Sequence, residues 1–356
     1  MKHPMGLMKF FSCSILIFFL ACGGETNPRN LFDIQIEGNR KQLQQGESVG
    51  VSIQNKKGKT IDHVSYFIDG KELPFQSGKI VLDIEKLGNK LLEAKIAYEG
   101  NSIAIDKKIK VLAKMPPEIY TYEVIQEYPH DIEAFTQGLE FHNDTLYEGT
   151  GSGKGRKSFL RKIDYRTGKV LQQTDLEKEY FGEGISILND KVYQLTWQKR
   201  MGFIYDLSSL KRSDSFQYGE SKEGWGLCND GKKLYKSDGT EKIWILNPET
   251  LVEEGYIQTV TNKSIFNKAN ELEYVDGKIY ANVWQKESMM IIDAKSGAIE
   301  GVINFGGLKK RVKQHDKLDV LNGVAYHPER GTFFVTGKNW DKLFEVRIKK
   351  KEDGDL

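Results

Sequence analysis

Three observations predict an all-β protein, a five-bladed β-propeller over residues 118–348 preceded by a small immunoglobulin-like β-sandwich over residues 31–113. A phrase ending in an aromatic residue recurs five times at close to the length of a propeller blade. Short runs upstream of it alternate apolar and polar residues, as half-buried strands do. Eleven per cent aromatics, 35 glycines and only 8 prolines favour sheet joined by tight turns. At 356 residues the chain has room for two such domains. Its 52 basic and 50 acidic residues leave a net charge of +2, which gives no electrostatic reason to expect a nucleic-acid partner.

Residues 1–21 read as an export signal outside the fold. Lys2, His3 and Lys9 form a basic start, and Phe10 to Leu20 an apolar stretch too short to span a bilayer stably. It stops at Leu20-Ala21-Cys22-Gly23, which resembles the lipobox of bacterial lipoproteins. That resemblance implies lipidation of Cys22, which becomes the first mature residue. Residues 22–30 then form a polar tether. The expectation is a monomer held to a membrane only through the lipid, on the outer membrane facing the periplasm, since Gly23 rather than an aspartate follows the cysteine. Cys13 leaves with the signal and Cys22 is modified. The remaining Cys228 is read as a buried structural thiol with no disulfide partner.

In the sandwich the runs Val49–Gln54, Val64–Ile68, Lys79–Ile84 and Leu92–Ala97 read as strands, with Asp69-Gly70 and Glu99-Gly100 as turns. No chemical constellation occurs there. Met115-Pro116-Pro117 is a stiff linker, so residues 118–356 are expected to fold and act without the sandwich.

The repeat appears as Asp144-Thr-Leu-Tyr147, Asp190-Lys-Val-Tyr193, Lys232-Lys-Leu-Tyr235, Gly277-Lys-Ile-Tyr280 and Gly331-Thr-Phe-Phe334. The final aromatics are 46, 42, 45 and 54 residues apart. A period near 45 suits a four-stranded blade. The last copy ends too near the C-terminus to supply its own outermost strand. Tyr120 to Tyr128, ahead of the first copy, is expected to supply it and close the ring.

Residues that break the repeat fall at equivalent places, where one face of the ring meets its axis. They are Ala134-Phe-Thr-Gln-Gly-Leu139, Phe181-Gly-Glu-Gly-Ile185, Gln194-Leu-Thr-Trp197, Gly224-Trp-Gly-Leu227, Asn270-Glu-Leu-Glu-Tyr274, Asn282-Val-Trp284, Leu321-Asn-Gly-Val-Ala325 and Thr336-Gly-Lys-Asn-Trp340. In this order and spacing the set resembles the plant and bacterial glutaminyl cyclases, also called glutamine cyclotransferases. The resemblance covers residues 120–348 and none of the sandwich. It implies an enzyme that closes N-terminal glutamine of peptides and proteins into pyroglutamate and releases ammonia; with no metal-ligand cluster in the sequence, catalysis is expected to need no metal or cofactor.

That reaction asks for specific chemistry. Both reactants belong to one residue, so curling the glutamine is a large part of catalysis. One carboxyl group can take a proton from the amine and hand it to the departing ammonia. Glu183, between Gly182 and Gly184, is expected to turn sharply into the channel and act as this shuttle, its pKa raised by nearby aromatics. Glu271 is the reserve candidate. Lys338 offers positive charge to the oxyanion or to the peptide carbonyl. The resemblance implies that Gln137 and Asn270 bind substrate beside aromatic walls of Phe135, Phe181, Trp197, Trp225 and Trp284. Asn322 is a further candidate for the channel, and Trp244 is read as core.

Two other functions compete. A noncatalytic propeller binding peptide termini would keep the aromatics without needing a buried carboxylate. A propeller hydrolase or lactonase would need a metal-binding ring, which Asn270, Glu271 and Asn322 begin. The six histidines do not complete it, and there is no His-x-Glu-x-x-His and no cysteine pair.

Overall fold

The computed structural model describes residues 28–152 and 157–351. The expected signal at 1–21, Cys22 and the expected tether up to residue 27 lie outside them. Pro28–Asn30 forms one 3-10 turn.

Residues 32–112 form two sheets. One is ordered Phe32–Ile36, Ser48–Asn55, Lys79–Val81, Phe75–Gln76. The other is ordered Gln42–Gln44, Asn101–Leu112, Gly88–Tyr98, Ile61–Ile68, Lys71–Glu72. Their inward residues, among them Phe32, Ile34, Val49, Tyr66, Leu92 and Ile96, form one apolar core. Asp69-Gly70 and Glu99-Gly100 all have positive φ, as two-residue turns with the right-handed twist of the flanking strands require.

From residue 118 onward the sheets are five blades around an axis. Blade 1 runs through Thr136–His142, Thr145–Thr150, Phe159–Asp164 and Lys169–Asp175. Blade 2 starts at Gly182–Leu188, blade 3 at Leu227–Asn229, blade 4 at Ala269–Val275 and blade 5 at Leu321–His327, and the innermost strands of successive blades pack on one another around the ring. The recurring aromatics lie in the second strand of each blade. Asn143-Asp144, Asn189-Asp190 and Asp276-Gly277, at the inner hairpins, again take positive φ.

Ring closure follows the expectation and adds to it. Glu118–Pro129 pairs antiparallel with Lys342–Lys350 as the outer strand of blade 5. Its first residues also pair in parallel with the outer strand of blade 4, Glu118 opposite Gly301 and Tyr120 opposite Ile303. One strand therefore removes the exposed edges of two blades.

The sandwich packs on the outer side of blades 3 and 4. Val260, fully buried, belongs to the sandwich core. Leu87 N donates to Ser296 O at 3.0 Å, Asn89 N to Gln258 Oε1 at 2.7 Å and Gln44 Nε2 to Asn262 O at 3.0 Å.

Candidate active site

Four of the five innermost strands carry a β-bulge near their start. The register slips between Thr136 and Gly138, Gly182 and Ile185, Ala269 and Leu272, and Leu321 and Val324. Gln137, Glu183, Asn270 and Asn322 sit within those slips. A bulge leaves a residue out of the ladder and re-aims its side chain. In blade 3, Trp225 holds the corresponding place just before Leu227.

The glycines beside these residues do something other than expected. Gly182 and Gly184 lie in strand and neither has positive φ, so they do not make a sharp turn. They leave room for neighbouring backbone instead. A Cβ on Gly184 would come within 2.6 Å of Leu227 N and Trp225 O, and Gly184 N donates to Trp225 O at 2.7 Å. Gly226 is tighter, with a Cβ only 2.0 Å from Asn270 O. The small residues let adjacent blades meet at the axis.

Phe135, Gln137, Phe181, Glu183, Trp197, Trp225, Asn270, Trp284 and Lys338 line one cavity of about 270 Å³. These nine are the residues expected from sequence, and none comes from the sandwich. Phe181 packs edge-on against Phe135 and Trp197, with centroids 6.0 and 5.7 Å away. Trp225 meets Trp284 at 5.6 Å on the other side. Trp197 is 39% exposed, whereas Glu183 is 4% and Lys338 5% exposed. The carboxyl and ammonium groups are thus sunk beneath an aromatic rim.

Burial pushes the Glu183 carboxyl well above its ordinary range; the Lys338 charge opposes that shift and Glu223 adds to it. Burial lowers the Lys338 ammonium, against the opposing charges of Glu183 and Asp319. The Lys338 Nζ lies 4.7 Å from the Phe135 ring centre. Among the described residues it makes no hydrogen bond or ion pair, and the Asn270 side-chain amide makes no hydrogen bond. Both are free to hold a ligand.

Gln137 is oriented by a relay. Asn322 Nδ2 donates to Gln137 Oε1 at 3.1 Å and to Thr136 O at 3.0 Å. With its oxygen occupied, Gln137 turns Nε2 to Glu183 Oε1 at 3.1 Å. Asn322 therefore stands behind Gln137 and is not among the cavity-lining residues, a correction to its expected place.

Glu271 is also absent from the cavity lining. Its Oε1 accepts from Leu139 N at 3.1 Å and its Oε2 from Val324 N at 2.8 Å. It ties blade 4 to blades 1 and 5 across the axis, and both its oxygens are occupied there. The reserve proton shuttle is accordingly withdrawn. Trp244 is buried, with its indole N–H on Asp238 at 2.8 Å. Cys228 is buried as well, and burial raises its thiol well above the usual range.

Sequence reasoning missed Glu223. Its Oε2 accepts the indole N–H of Trp197 at 2.9 Å and of Trp225 at 2.8 Å. One carboxylate so fixes two aromatic walls from different blades. Glu223 lies one residue before Gly224-Trp-Gly-Leu227, and no local pattern marks a glutamate whose second partner is 26 residues away. Among the described residues no group of three His, Cys, Asp or Glu side chains is arranged to hold a metal.

Fold and cavity define a class, a five-bladed propeller with an aromatic pocket over a buried carboxyl and a buried ammonium group. The family model for glutamine cyclotransferase matches residues 95–348. The chain is 40% identical over 232 residues to glutaminyl-peptide cyclotransferase of Arabidopsis thaliana, spanning 64% of this chain and 71% of that protein. Among solved structures it is similar to the glutaminyl cyclase of Myxococcus xanthus, with a TM-score of 0.61 and 33% identity, over 66% of this chain and 100% of that one. The chain belongs to the glutamine cyclotransferase family.

Proposed function

We propose that the protein is a glutaminyl-peptide cyclotransferase, with Glu183 as its proton carrier. The carrying observation is a buried carboxyl with a raised pKa, facing the same aromatic cavity as a buried ammonium group. The neutral α-amine attacks the carbon of its own side-chain amide. The Glu183 carboxylate takes a proton from the attacking nitrogen and returns it to the departing one. A C–N bond forms, another breaks, and ammonia leaves with no net change at Glu183. The Lys338 ammonium and the second N–H of Gln137 are available to the oxyanion. Asn270 holds the substrate's polar groups, and the aromatic walls keep the glutamine curled and dry.

Every step uses side chains of this chain alone, so we propose that catalysis needs no metal. Ammonia release from a Gln-initiated peptide is expected to persist in strong chelator. Loss of activity on chelation, with recovery on adding zinc, would contradict this. The lipobox-like Leu20-Ala21-Cys22-Gly23 supports export and lipid anchoring of the same chain, facing the periplasm. Palmitate should label the wild type and not Cys22→Ser; an unlabelled wild type would overturn the anchor.

A further inference from the structure

The glutamine cavity is small for a peptide. At about 270 Å³ it falls just below the range of ordinary small-ligand pockets. A peptide substrate must therefore leave it immediately after its first residue. Beside it lies a second concavity of about 570 Å³, formed by the loop at 220–223, the turn at 238–242 and the indoles of Trp225 and Trp244. Trp225 lines both spaces. Its ring packs on Gly239, where a Cβ would come within 2.5 Å of the indole. This single side chain is the partition between them.

The groove is a built surface. Glu253 anchors its loop, accepting from Glu220 N at 2.7 Å, Ser221 N at 3.1 Å and Ser221 Oγ at 2.5 Å. Lys236, fully buried, holds Glu253 at 2.7 Å from beneath. The Lys242 ammonium lies over Trp244 at 4.6 Å and Tyr256 at 4.2 Å, which fixes one wall. At the partition, Glu223 spends Oε2 on the two indoles, while Oε1 accepts no hydrogen bond among the described residues. That oxygen is an acceptor for a backbone N–H crossing from one space to the other. Four carboxylates, Glu220, Glu223, Asp238 and Glu241, line the groove against two ammonium groups, Lys222 and Lys242.

We propose that this groove on blade 3 is the subsite for the residues that follow the N-terminal glutamine, and that its carboxylates favour a basic side chain there. The proposal rests on the reading of the first cavity as the glutamine pocket. The chain passes over Trp225, gives its first N–H beyond glutamine to Glu223 Oε1, and lies against the Trp244 wall. Binding energy gained so far from the reacting bond helps to seat the glutamine for reaction.

The experiment compares kcat/KM for glutamine amide with that for Gln-Ala-Glu-amide and Gln-Ala-Lys-amide. Turnover of glutamine amide tests the glutamine pocket, and the ratios test the groove. Wild type should favour Gln-Ala-Lys-amide over glutamine amide by about tenfold. Thr240→Trp, which fills the groove from its exposed edge, should collapse that ratio towards one. Glu220→Lys, an exposed charge reversal, should weaken the preference for the basic over the acidic tripeptide. Equal wild-type efficiency on the amide and both tripeptides would overturn the proposal, as would ratios that neither substitution changes.

Discussion

Glu148 in blade 1 and Glu183 in blade 2 are both buried carboxylates, and their surroundings drive them in opposite directions. Glu148 is saturated. Thr136 Oγ1 at 2.7 Å and His130 Nε2 at 3.1 Å meet one oxygen, and Arg161 Nε at 2.8 Å meets the other. Burial alone would raise its pKa, but the charges of Arg161 and His130 outweigh that and hold it at about 2. Glu183 is sparsely held, with Gln137 its one hydrogen-bond partner among the described residues, and burial wins. A carboxylate ion-paired to a buried arginine, as Glu148 is, stays charged and stabilises the fold. A sparsely held one, whose pKa burial raises, is suited to gain and lose a proton, which a shuttle needs. The two are connected, because Thr136, which binds Glu148, directly precedes Gln137, which binds Glu183.

The largest expected effects break this contrast. Glu183→Gln should lower kcat by about 10² to 10⁴ while denaturation stays near wild type. A loss of stability without a loss of rate would reverse the roles. Glu148→Gln should do the opposite, costing about 3–5 kcal/mol in urea denaturation, because Arg161 is left buried without its main partner. The pH dependence follows in sign. The folded pKa of Glu148 lies below its unfolded value of 4.5, so its contribution is complete above that value. It is lost as pH falls from about 4.5 towards about 2, and the variant's stability should lack that acid-dependent component.

Lys338→Met should reduce kcat by about 10² to 10³, as removal of a donor to an oxyanion does. It should also move the acid limb of the kcat profile to higher pH, since the lysine charge opposes the upward shift of Glu183. A limb that moves to lower pH would contradict that influence of Lys338 on Glu183. The smallest effect separates two residues near the axis. Asn322→Ala should cost about tenfold in kcat/KM, because Gln137 loses the contact that fixes its amide. Glu271→Gln should leave kcat within a few-fold and appear instead as lost stability. The converse result would restore Glu271 to the reaction.

Much of this was legible in sequence because it is local or periodic. Tyr147, Tyr193, Tyr235, Tyr280 and Phe334 recur at blade spacing, and the Asp, Asn and Gly residues of inner hairpins mark turns needing positive φ. The aromatic and polar lining was readable as departures from that period. What escaped depends on distant backbone. Glu271 is structural only because Leu139 and Val324, 132 and 53 residues away, present their N–H groups to it. Gly184 serves a neighbouring blade, not a turn, and nothing in Gly-Glu-Gly distinguishes the two. In the strand Asn101–Leu112, Asp106-Lys107-Lys108 interrupts the alternation, and pairing with Gly88–Tyr98 carries the strand through.

The central claim is that this pocket closes glutamine and that Glu183 carries the proton. Its most direct test is mass spectrometry of matched Gln- and Asn-initiated peptides with the wild type and Glu183→Gln, all in chelator. The wild type should remove one ammonia from the Gln peptide, leaving a blocked pyroglutamyl terminus, and leave the Asn peptide unchanged. Glu183→Gln should leave both peptides intact over the same time. Pyroglutamate formed by the variant at the wild-type rate, or by neither protein, would contradict the account.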